Sequence, residues 1–130
     1  MKNILRVAAF LTALLGLSGC GGEEANEPTY VNITAQEAKA LMDRENGYII
    51  LDVRTEEEYA QGHIPGAILI PDYEIEQKAE EILTDKSQML LVYCRSGRRS
   101  KNAAEVLLKL GYTDIREFGG IIDWPYEIEK

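Results

Sequence analysis

Apolar residues follow two different patterns along positions 30–124. Tyr48–Val53 and Met89–Tyr93 are apolar at nearly every position, as expected of parallel strands buried on both faces. Elsewhere the apolar residues recur at helical spacing. Ala38, Leu41 and Met42 follow Thr34 and Glu37, whose spacing is that of a capping box, and this helix is expected to end near Asn46-Gly47. Thr55 and Glu58 repeat the capping spacing and open a short helix that ends by Gly62. Ile75, Ala79, Ile82 and Leu83 fall on one helix face, and Ala103, Leu107 and Leu110, with Ala104 and Leu108, form a broader stripe stopped by Gly111. Tyr30–Ile33, Ala67–Ile70 and Ile115–Phe118 are shorter strand candidates, and Ile121–Trp124 a closing turn. Strands alternating with helices predict an α/β fold with a mainly parallel sheet.

The N-terminal segment has a different character. Lys2 and Arg6 precede an apolar run, Val7–Leu17, broken only by Thr12 and Gly16. It is shorter than the roughly 20 residues that a spanning helix needs, and it has the form of a secretory signal peptide over residues 1–19. The run closes on Leu17-Ser18-Gly19-Cys20, which resembles the lipobox of bacterial lipoproteins. That resemblance implies cleavage before Cys20 and a diacylglyceryl group on its thiol. Further acylation is expected, since a single acyl chain gives only marginal membrane binding. The protein is then expected in the cell envelope, lipid-anchored outside the cytoplasm. The anchor lies on the outer face of the cell membrane, or on a periplasm-facing membrane where there are two. Residues 20–29 read as the lipidated Cys and a flexible acidic tether, and residues 30–130 as the domain.

Charge and rare residues narrow the chemistry. The 22 acidic residues outnumber 14 basic ones, giving a net charge of -8, which argues against a nucleic-acid partner. One histidine, His63, and two widely separated cysteines form no metal-ligand spacing, so no metal and no other cofactor is expected. With Cys20 joined to lipid, Cys94 has no partner for an intramolecular disulfide. A lone thiol outside the cytoplasm is a liability unless it does chemistry.

The surroundings of Cys94 point to chemistry. The apolar strand Met89–Tyr93 leads into Cys94-Arg95-Ser96-Gly97-Arg98-Arg99-Ser100 and then a helix. The carboxyl end of a parallel strand is where ligands bind in such sheets, and the amides of a tight loop and helix N-terminus converge there on anions. Gly97 permits a sharp backbone path, and Arg95, Arg98 and Arg99 add positive charge. These surroundings favour the thiolate and make Cys94 an activated nucleophile without a Cys–His dyad.

Leu51-Asp52-Val53-Arg54, Glu58-Tyr59, Gly62-His63-Ile64-Pro65-Gly66-Ala67, the Cys94–Arg99 loop, and Phe118-Gly119-Gly120-Ile121 followed by Trp124 together resemble the rhodanese-like domain. The resemblance covers Tyr30 to Trp124. It implies a single rhodanese-like α/β domain with a five-stranded, mainly parallel sheet and helices on both faces. It also implies a sulfurtransferase that moves a sulfane sulfur from thiosulfate or a similar small anionic donor through a persulfide on Cys94. The loop of Arg95, Ser96, Gly97, Arg98 and Arg99 would bind donor and persulfide, and the acceptor would be a thiol, cyanide or a protein. Asp52, Arg54 and His63 read as structural support, the first two as a polar brace below the loop and His63 as satisfying a turn.

Three other readings stay open. A Cys-based phosphatase or arsenate reductase typically places five residues between Cys and Arg, whereas four separate Cys94 from Arg99. A thiol redox protein would have a resolving Cys in a Cys-x-x-Cys pair, and none is present. A non-catalytic rhodanese-like binding module would share the fold, because fold does not fix function, but the retained Cys94 argues against it.

Overall fold

The computed structural model describes residues 27–130; the expected signal peptide, the lipidation site at Cys20 and most of the tether lie outside the described residues. In chain order the elements are β1 (Val31–Asn32), α1 (Ala35–Arg44), β2 (Ile49–Asp52), α2 (Glu56–Gln61), β3 (Ile68–Leu69), α3 (Ile75–Ile82), β4 (Leu90–Cys94), α4 (Arg98–Lys109) and β5 (Ile115–Gly120). Short 3-10 turns occupy Asp72–Glu74 and Ile121–Asp123. The strands lie in the order β1-β5-β4-β2-β3, and every pairing is parallel.

Local chemistry explains where the helices begin. Thr34 Oγ1 accepts from the Glu37 N–H while the Glu37 carboxylate accepts from the Thr34 N–H, and Thr55 and Glu58 do the same for α2. Caps of this kind contribute about 1 kcal/mol each.

Central β4 is buried at all five positions. Alternation along the strand sends Leu90, Val92 and Cys94 into the layer built with Ala79, Leu83, Ala103 and Leu107 of the α3–α4 side. Leu91 and Tyr93 face the other layer, with Ala38 and Leu41 of α1, Ile64, Phe118 and Trp124. The thiol of Cys94 therefore points toward α4 for the same reason that Val92 does.

Several local expectations shift. Both edge strands, β1 and β3, shrink to two residues, each having a neighbour on one side alone. Ile82 is 45% exposed, because α3 stops there and Leu83, off the helical path, turns into the core instead. Leu108 and Leu110 pack only partly. Beyond Trp124 the chain returns to the His63 turn, where His63 and Glu129 exchange N–H···O bonds of 2.8 Å in an antiparallel bridge.

Candidate active site

Cys94 ends β4, and after three intervening residues α4 begins at Arg98, with Gly97 at its N-cap in a left-handed conformation (φ 116°). That conformation, easy only for glycine, folds the loop back so that the Gly97 N–H donates to Cys94 Sγ across 3.0 Å. The thiol in turn lies 3.5 Å from Ser100 Oγ in the first turn of α4. No side chain caps α4, which leaves its N-terminal end to the loop. Cys94 is almost fully buried.

The floor of the loop is glycine. A Cβ on Gly120 would lie 1.9 Å from the Arg95 carbonyl oxygen, and the backbone there permits no retreat because the Ile122 N–H already donates to that oxygen at 3.2 Å. Gly119, at φ 88°, passes beneath Gly97. The Phe118-Gly119-Gly120 segment thus acts through sterics, bringing two backbones closer than any side chain allows.

The charged groups are unevenly spent. Arg95, Ser96 and Arg98 are exposed. Arg99 is not a free cation: its guanidinium donates to both carboxylate oxygens of Glu58, at 2.8 and 3.0 Å, tying the start of α4 to α2. Those bonds hold the Glu58 carboxyl at about 2, well below its ordinary value.

On the opposite face of β4, next to Cys94, Tyr93 donates its hydroxyl to Asp52 at 2.6 Å and accepts from the Ile64 N–H at 3.1 Å. Burial first, then the neighbouring Asp52 charge, push the Tyr93 hydroxyl well above its usual range. Asp52, fully buried, also receives the Arg54 guanidinium at 2.7 Å, and Arg54 reaches on to the Gly62 carbonyl at 2.7 Å. These bonds pin the strand end and the Gly62–Ile64 turn to each other. His63 is stacked on Tyr59 with ring centroids 3.7 Å apart, and its Nδ1 lies 2.9 Å from the Tyr59 carbonyl. Its ring partners are Tyr59 and Glu129, not Cys94.

The structure therefore brings Cys94 together with Arg95–Arg99, sets Asp52 and Arg54 behind them, and leaves His63 in its turn. Three residues outside the expected site join it. Glu58 carries a capping signature in the sequence but also neutralises Arg99, Tyr93 links the brace to β4, and fully buried Glu117 bonds to Ser100. A cleft of about 490 Å³ lies elsewhere, between α1 and the Trp124–Glu127 segment.

Residues 34–125 match the family described as Rhodanese-like domain. Over 73 residues the chain is 41% identical to thiosulfate sulfurtransferase PspE of Escherichia coli, covering 56% of this chain and 70% of that protein. It is 36% identical over 112 residues to the putative sulfur carrier protein YrkF of Bacillus subtilis, covering 84% of this chain and 60% of that protein. Among solved structures, a rhodanese with anions from E. coli matches with a TM-score of 0.60 at 37% identity, covering 64% of this chain and 98% of that one. SSP1007 from Staphylococcus saprophyticus matches with a TM-score of 0.69 at 29% identity, covering 77% and 99%.

Proposed function

The chain belongs to the rhodanese-like domain family, and on that premise we propose that it is a sulfurtransferase working through a persulfide on Cys94. The observation that carries this reading is the position of Cys94 Sγ, at the carboxyl end of a buried strand and under the Gly97 N–H at 3.0 Å. The thiolate attacks the outer sulfur of thiosulfate; the sulfur–sulfur bond of the donor breaks, and sulfite leaves with the electron pair. The persulfide anion then sits where backbone amides of the Arg95–Arg99 loop and the N-terminal end of α4 stabilise negative charge. Attack on its outer sulfur by cyanide, a thiol or a protein acceptor regenerates the Cys94 thiolate. Exposed Arg95 and Arg98 draw the dianionic donor to the mouth, while Arg99 orients α4 through Glu58.

Asp52 and Arg54 act as positioning residues in this scheme, holding the end of β2 against β4, and His63 holds the preceding turn. In the same reading residues 1–29 carry the domain to the cell envelope: the signal peptide is removed, Cys20 takes the lipid, and the acidic tether spaces the domain from the membrane surface.

The test is direct. Thiosulfate should add about 32 Da, one sulfur, to the Cys94-containing peptide, and cyanide should remove it as thiocyanate. Cys94→Ser should lose both events and keep its circular dichroism spectrum. Thiocyanate production unchanged in Cys94→Ser would end the proposal.

A further inference from the structure

Glu117 is fully buried in β5, and its surroundings explain more than a strand residue requires. Oε1 accepts from Asn32 Nδ2 at 2.5 Å and lies 3.5 Å from Lys101 Nζ, an ammonium that is half in water. Oε2 accepts from the Gly119 N–H at 2.9 Å and from Ser100 Oγ at 2.5 Å. A buried carboxylate whose one close cation is distant and hydrated is an expensive way to pin a turn that a neutral side chain could hold.

Ser100 shows where the carboxylate is directed. A hydroxyl has one proton and two lone pairs. The short bond to Glu117 takes the proton in preference to the carbonyls of Gly97 at 3.0 Å and Gly119 at 3.3 Å. A lone pair then remains for the Cys94 thiol, 3.5 Å away. One continuous donor chain results, from Cys94 S–H to Ser100 Oγ–H to the Glu117 carboxylate.

Resting on the reading of Cys94 as the nucleophile, we propose that Glu117 is a positioning residue that takes up, through Ser100, the proton leaving the Cys94 thiol. The Cys94 S–H bond breaks as a new O–H bond forms on Ser100. The serine's own O–H bond breaks as one forms on Glu117. The thiol and carboxylate become thiolate and carboxylic acid, so the buried site holds one negative charge throughout. The two anions, which would repel at this range, are never both required.

The other charged groups facing the pair fit this exchange. From α4, Lys101 lies 3.5 Å from Glu117, and Arg99, already bound to Glu58, faces Cys94. Glu58 of α2 binds Arg99, and Asp72 before α3 adds to the field on the same guanidinium. From β1 the neighbour is neutral Asn32. His63 is turned to Tyr59 and Glu129 and takes no part.

The experiment is the pH dependence of Cys94 alkylation by iodoacetamide in the full chain, read by mass spectrometry on the peptide that contains Cys94. If Glu117 takes the Cys94 proton, the wild-type rate should rise in two steps separated by a plateau. Glu117→Gln should leave one step. Ser100→Ala, which keeps the carboxylate but cuts the chain, should also leave one step and lower the rate at the former plateau about tenfold. Ser100→Thr should restore both steps, which a purely structural role for the serine would not require. A single step in wild type overturns the proposal, as do two unchanged steps in Ser100→Ala. If Glu117→Gln fails to fold, the Ser100 variants decide. Thiocyanate production on the same preparations separates the two readings: two steps without sulfur transfer keep the relay and sink the sulfurtransferase, and sulfur transfer with one step does the reverse.

Discussion

Replacing Glu58 by Gln is expected to loosen the start of α4 while leaving the loop more positive than before. Gln is near-isosteric and still satisfies the capping position, so the Thr55 N–H keeps its acceptor. What is lost is the carboxylate charge that receives Arg99 at 2.8 and 3.0 Å. The two side chains are 26% and 31% exposed, so water screens part of the attraction. Fully exposed pairs contribute about 0.2–1 kcal/mol, and hydrogen bonds to charged groups about 1.5–3. A partly screened bidentate pair falls between, at about 1–1.5 kcal/mol. In a domain of this size that corresponds to a fall of roughly 5–10 °C in Tm.

The same bond sets a pH dependence. Folding lowers the Glu58 carboxyl from 4.5 to about 2, chiefly through the Arg99 hydrogen bonds. Its contribution is therefore complete above about pH 4.5 and is lost as pH falls toward 2. Melting curves at pH 7, 5 and 3 should show the gap between wild type and Glu58→Gln narrowing at the lowest pH. For catalysis, Arg99→Ala should match Glu58→Gln in lost stability yet keep kcat/KM for thiosulfate within about threefold, under about 0.7 kcal/mol. Glu58→Gln, with an unpaired guanidinium beside the loop, should have an equal or lower KM. A tenfold or greater loss of kcat/KM in folded Arg99→Ala, with Tm unchanged in Glu58→Gln, would refute the view that Arg99 anchors the helix rather than the donor.

Tyr93→Phe removes a donor from buried Asp52 and an acceptor from the buried Ile64 N–H, so urea unfolding should show a loss of about 2–4 kcal/mol; a loss under about 1 kcal/mol would count against the brace. Gly120→Ala should destabilise by about 2–3 kcal/mol and displace the loop, because its Cβ meets the Arg95 carbonyl at 1.9 Å; Gly119→Ala, with open space but a φ of 88°, should cost only about 1 kcal/mol in the same melts. Full-length protein expressed in a bacterium should sediment with membranes and carry a lipid-modified N-terminal Cys20, and Cys20→Ala should abolish both; an unmodified thiol at Cys20 in soluble protein would rule out the anchor.

How far these features were legible in the sequence depends on how local they are. The helix starts at Thr34 and Thr55 are written within four residues, and the apolar runs of β2 and β4 within six. The Cys94 loop is contiguous, so its chemistry could be read without knowing any partner. Glu58–Arg99 and Asp52–Tyr93 each span 41 residues, and local spacing does not select those partners from among many acids. Glu117 was hidden for a different reason. The run Ile115-Arg116-Glu117-Phe118 has no clean apolar–polar alternation, so it does not mark Glu117 as inward-facing. In fact it shares the inward face with Ile115, and the pairing of β4 with β5 shifts immediately afterwards, from Val92–Glu117 to Cys94–Gly120. Ordinary alternation puts Phe118 in the α1 layer and Glu117 under α4, so neighbouring residues are buried on opposite faces.

That shift also changes what the loop depends on. Three arginines within five positions suggest a cradle made by side-chain charge, but one of them is neutralised by Glu58 and the other two are exposed. Exposed charges steer an anion to the mouth; they are too screened to hold a persulfide in place. In the proposed reaction holding it would fall to backbone amides, whose directions are set by the path of Arg95–Gly97 over Gly119 and Gly120. The register shift brings Gly120 opposite Cys94, and a Cβ at Gly120 would collide with the Arg95 carbonyl. The irregularity in β5 sets Gly120 beneath the loop, three residues along the strand from Glu117, which faces Ser100. A substitution at Gly119 or Gly120 should therefore displace the loop and disturb the alkylation profile of Cys94 even where no charged group is touched.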